Sequence, residues 1–91
     1  MKTKDPQSWP DFFENFYYHH AGFIRELISN YPHITPREFE LCCYLRAGYH
    51  NRDIAERCGC TLRSVETLRY RLRKKLPLAT HDDLSMFLMQ I

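Results

Sequence analysis

Apolar side chains recur along this chain at intervals of three and four, in blocks separated by proline, glycine and short polar stretches. That period belongs to helices packed on one side. In the first block Phe12, Phe13, Phe16 and Tyr17 share a stripe, with Pro10 suited to a first helical turn behind Ser8 or Trp9. Gly22 predicts a break near His19-His20-Ala21-Gly22, after which Phe23, Ile24, Leu27 and Ile28 form a second stripe. Pro32 ends it at or before Tyr31. Thr35-Pro36-Arg37-Glu38 has the form of a capping box with proline at the first helical position, and Ile34 and Phe39 are spaced as a hydrophobic staple. Leu41, Cys42 and Leu45 continue this helix inward as far as Gly48.

A short helix follows over 51–58, capped by His50 or Asn51, with Ile54 and Ala55 inward. Gly59 supplies a tight turn, and Thr61 caps the next helix, with Cys60 and Val65 as its staple pair. Pro77 stops that helix, and Thr80-His81-Asp82-Asp83 opens a last one with Leu84, Phe87 and Leu88 inward. No strand alternation, internal repeat or long linker interrupts the series. The expected fold is all-α: a four-helix unit over 34–91, preceded by an extension over 1–33 that holds one or two further helices. Residues 1–8 are polar and expected to fray.

Charge changes this picture at one place. Residues 61–76 hold six cations against the single anion Glu66, a net of +5, whereas the whole chain carries +2, so the remainder is acidic by 3. Elsewhere the chain has the composition of an ordinary soluble domain. Its 91 residues fit one small unit, no apolar run nears the roughly 18 residues of a membrane span, and no secretory segment follows Met1, which points to the cytoplasm.

Candidate chemistry is sparse. Cys42 and Cys43 are adjacent in a helix and point about 100° apart, so they do not form a natural chelating pair. Cys58-Gly59-Cys60 is shorter than the spacing of a zinc knuckle, and none of the five histidines completes a ligand set. Free, partly buried thiols are the reading, with no metal and no cofactor. No nucleophile–base pair or phosphate-binding glycine loop is present, and Asp82-Asp83 are accounted for by a helix start, so an enzyme is not expected.

Helix, glycine turn and threonine-capped second helix have the layout of a helix-turn-helix. The residues at these positions sharpen it. Ile34-Thr35-Pro36-Arg37-Glu38, Gly48, Asn51-Arg52-Asp53-Ile54-Ala55-Glu56-Arg57, Ser64-Val65, Leu72 and Lys75-Leu76 resemble the LuxR/GerE-type DNA-binding domain. The resemblance runs from residue 34 to about residue 90. It differs at Leu68, where the family usually has His, at Cys58, at His50 and at Glu66, which is often not acidic in relatives. It implies sequence-specific binding of double-stranded DNA as the output domain of a bacterial transcriptional regulator, with helix 61–76 in the major groove.

A helical wheel sorts that helix. Val65, Leu68, Leu72 and Leu76 form its core arc, with Arg63, Thr67, Tyr70 and Lys74 opposite and Glu66 and Arg71 flanking. Arg63, Glu66, Thr67, Tyr70 and Arg71 are the expected base-reading residues, since arginine pairs with guanine, carboxylate with cytosine N4, and the threonine methyl with thymine. Thr61 and Ser64 at the helix start, with Arg73 and Lys74 further along, are the expected phosphate contacts. Arg69 and Lys75 fall at the edges of the apolar arc and read as snorkelling side chains, paired with Glu38 or another carboxylate of its helix. So small a domain reads few base pairs, which points to a homodimer on two half-sites, or to a longer parent chain with a sensor or receiver domain. Three readings compete. The fold could serve protein interaction or dimerisation without DNA, as the aromatic N-terminal block and Glu66 allow; the extension could simply support the core; or the cysteines could form a thiol or metal sensor.

Overall fold

The computed structural model describes residues 8–91, so the expected fraying lies, except at Ser8, outside the described residues. Five helices appear in order: α1 (Trp9–Asn30), α2 (Pro36–Arg46), α3 (Asn51–Cys58), α4 (Leu62–Lys75) and α5 (Leu84–Met89). The all-α expectation is met.

Helix α1 starts at Ser8, whose hydroxyl accepts from the Asp11 N–H at 3.4 Å, with Pro10 in the first turn. The expected break takes another form. One helix runs through, with a kink at His20 (φ −132°, ψ 34°), where the imidazole stacks on Phe16 at 4.5 Å; Gly22 itself stays helical. Phe12, Phe16, Phe23, Ile24 and Leu27 are buried. Tyr17 and Ile28, expected inward, are 53% and 55% exposed. They lie about 110–130° from the arc centred on Phe12, Phe16, Phe23 and Leu27, outside what one neighbouring helix can cover. Trp9 and Phe12 reach across to α2, with ring centroids 5.7 Å and 4.5 Å from that of Tyr44. The extension therefore shares one hydrophobic core with the four helices after it.

Helix α2 is the centre of that core. Leu41, Cys42, Cys43, Tyr44 and Leu45 are all buried, because α1 covers one side and α4 and α5 cover the other. All four cysteines are free; burial pushes the Cys42 thiol up to about 12 and raises Cys43 as well, which keeps both protonated at neutral pH.

The Thr35 box is formed: the Thr35 N–H donates to Glu38 Oε1 at 2.9 Å, and the Glu38 N–H donates to Thr35 Oγ1 at 3.2 Å. Glu38 is buried and also meets Lys75 Nζ at 2.8 Å, so the first and last turns of α2 and α4 are tied together. Burial alone would raise the Glu38 pKa. The Lys75 hydrogen bond and charge, with the Thr35 N–H, outweigh it and hold the carboxyl below its ordinary value of 4.5. A depressed carboxylate adds stability above its unfolded pKa and loses it as pH falls through the folded value. Lys75→Met should therefore cost about 1–3 kcal/mol at neutral pH, less than the about 3–5 kcal/mol of splitting a fully buried pair, because Lys75 is 33% exposed and Thr35 remains. Urea unfolding on either side of the carboxylate range checks it. The variant should lose less stability on acidification than the parent, and equal losses would contradict the assignment.

Gly48 (φ +91°) and Gly59 (φ +65°) take left-handed backbone at the two turns, where a side chain would be strained. Arg46 draws the chain end in: its guanidinium donates to the carbonyls of Leu88 and Ile91 and lies 4.8 Å from the Phe23 ring centroid. The cap of α5 is Asp83, which accepts from the Met86 N–H at 3.1 Å. No helix among the described residues is long and apolar enough to cross a membrane.

Candidate nucleic-acid interface

Helix α3 begins at His50, whose N–H donates to Asp53 Oδ2 at 3.3 Å, and buries Ile54 and Ala55. Gly59 turns the chain, and the Cys60 N–H donates back to the Ala55 carbonyl at 3.0 Å. Helix α4 then starts at Thr61. Thr61 Oγ1 accepts from the Ser64 N–H and donates to Ser64 Oγ, both at 3.0 Å. The Thr61 proton is thus used internally, and the Ser64 hydroxyl donates to no acceptor among the described residues.

One side of α4 is fixed by packing: Val65, Leu72 and Leu76 are buried and Leu68 is half-buried. Arg63, Thr67, Tyr70 and Lys74 are exposed on the other side, with Glu66 and Arg71 exposed beside them. Lys74 Nζ sits 4.6 Å from the Tyr70 ring centroid, a contact that aligns the two side chains along the helix. This cationic and polar surface is held by a rigid apolar base.

Two arginines are placed differently from the sequence reading. Arg73 donates to the carbonyls of Asp82 (2.7 Å), Ala79 (3.0 Å) and Thr80 (3.2 Å). These bonds close the loop between α4 and α5, a structural use of Arg73 beside the phosphate contact expected of it. Arg69 meets no carboxylate of α2; it donates to Asn51 Oδ1 at 3.2 Å, linking α4 to the start of α3. Burial lowers its pKa from the ordinary arginine value. Lys75, by contrast, pairs with Glu38 as expected.

The sequence reading also left out the start of α3. His50, Asn51 and Arg52 line a cleft of about 640 Å³ beside α4, with Leu62, Glu66 and Arg69 as its other wall. Glu66 thus stands at the rim between this cleft and the exposed face. Arg52 is exposed and adds a cation next to the α3 N-terminus. The usable signal was the turn length, since a helix-turn-helix brings the first turn of its first helix alongside the second helix.

Comparison with known proteins agrees with this geometry. Residues 32–88 match the family model described as bacterial regulatory proteins, luxR family. The tetrathionate response regulatory protein TtrR of Salmonella typhimurium is 40% identical over 52 residues, 57% of this chain and 25% of that protein. The transcriptional regulatory protein MctR of Rhizobium johnstonii is 43% identical over 47 residues, 52% of this chain and 22% of that protein. The chain thus spans a quarter or less of the curated relatives it matches, and no solved structure matches it. The family consists of DNA-binding transcription factors, not enzymes. With the family model covering more than half of its length, and five helices arranged around a Gly59 turn, the chain belongs to the luxR family of bacterial regulatory proteins.

Proposed function

We propose that this chain is the output domain of a bacterial transcriptional regulator that binds double-stranded DNA by sequence, with α4 in the major groove. The observation that supports it most is the division of α4: Val65, Leu72 and Leu76 are locked into the core while Arg63, Thr67, Tyr70, Arg71 and Lys74 stand free on the surface. Arg63, Glu66, Thr67, Tyr70 and Arg71 read base edges. Lys74, the Ser64 hydroxyl and the start of α4 at Thr61 hold phosphates, and Arg52 joins them from α3. The test is the loss of duplex binding when Arg63, Arg71 and Lys74 are removed together, measured across salt concentrations.

The domain works in the cytoplasm as a homodimer on two half-sites about one DNA turn apart. In a longer parent chain, a sensor or receiver domain sets its activity. The thiol-sensor alternative loses support from the raised pKa of Cys42, Cys43 and Cys58, since the thiolate is the reactive form.

A further inference from the structure

Outside its core arc, α1 carries a second apolar seam. Tyr17, Ala21 and Ile28 follow each other at intervals of four and seven, the spacing by which one helix meets another along its length, with the buried Ile24 as the floor between Ala21 and Ile28. They share one face despite the kink at His20: together with Arg25 and Ser29 they line a single cleft of about 340 Å³. Tyr17 and Ile28 stand as ridges at its two ends, 53% and 55% exposed, and the small Ala21 lies between them.

The charges on this face identify what covers it. Glu14 and Arg25 flank the seam, both exposed and neither in an ion pair among the described residues. They lie seven residues before and four residues after Ala21. A second copy of α1 laid antiparallel, with the two-fold axis near Ala21, sets each Arg25 beside the partner's Tyr17 and within one turn of the partner's Glu14. The surface is therefore self-complementary in charge and in relief, as an isologous interface requires.

We infer that this face of α1 is the contact between two copies of the chain, packed antiparallel through Tyr17, Ala21 and Ile28 with Glu14–Arg25 pairs at both ends. The inference rests on the homodimer reading above and names its surface. A single helix face offers far less than the roughly 800 Å² per partner of a standard interface, so the dimer is weak in free solution and forms chiefly at high protein concentration.

Sedimentation equilibrium of the chain and three variants tests it. Arg25→Glu and Glu14→Arg each place like charges at two symmetric rim positions and should weaken the dimer about tenfold or more. The double variant Glu14→Arg/Arg25→Glu restores both pairs and should recover most of the affinity. Both side chains are on the surface, so helix content by circular dichroism should not change. A dimer unaffected by either single variant, or singles that weaken it without rescue in the double variant, would overturn the α1 surface while leaving the homodimer reading intact. A parent chain that stays monomeric at all concentrations, with or without duplex, would remove both.

Discussion

Replacing Arg63, Arg71 and Lys74 together by alanine should lower duplex affinity at least about thirtyfold near physiological salt, since two lost base contacts alone are worth about 1–3 kcal/mol each. The three cations are exposed, and alanine is the best helix former, so α4 should remain intact. The separate changes should differ in kind. Lys74→Ala should weaken binding to all sequences similarly and reduce the salt slope by about one unit, the mark of a phosphate contact. Arg63→Ala should instead relax preference at one base pair. Arg73→Ala is the control: its guanidinium closes the 79–82 carbonyls, so it should lower stability while leaving the salt slope unchanged. Titration of labelled duplex at several salt concentrations reads all four. Undiminished affinity in a folded triple variant would remove α4 from the interface.

Leu72→Ala should be the most damaging single change to the fold. Leu72 has no exposed surface, lies at the middle of the α4 stripe, and sits where α4 packs on α2. Loss of a fully buried leucine costs about 2–5 kcal/mol, through the lost transfer energy and the cavity left behind. For a domain of this size, about 3 kcal/mol lowers Tm by roughly 12–24 °C. Leu68→Ala, at a half-buried position, should cost clearly less. Thermal unfolding checks both; equal shifts would mean that the two positions share the core evenly, against the burial observed here.

Local signals and long-range packing differed in how far they could be read from residues alone. The Thr35–Glu38 box, the Gly59 turn and the Thr61 cap are contained in three or four neighbouring residues, and each formed as the sequence indicates. The core stripe of α4 was legible for the same reason, since one period of 3.6 residues defines it. Three features were not. Cys43 and Tyr44 are buried because α2 is covered from two sides, and a helix without a polar face leaves no periodic mark. The kink at His20 left no mark that distinguished it from a break at Gly22. Arg73 and Lys74 are adjacent cations in sequence, yet one closes a loop and the other stands on the surface, a division set by the path of residues 76–83. Arg69 shows the same limit: its edge position on the wheel was visible, but Asn51 as its partner lies 18 residues away.

The most direct measurement of the central claim is amide chemical-shift mapping of the chain as it is titrated with a duplex of about 20 base pairs, roughly two helical turns. The largest shifts should fall on the exposed side of α4 from Thr61 to Lys74 and on the first turn of α3 near Arg52, and should diminish as salt rises. Shifts concentrated on α1, or none at saturating duplex, would contradict it.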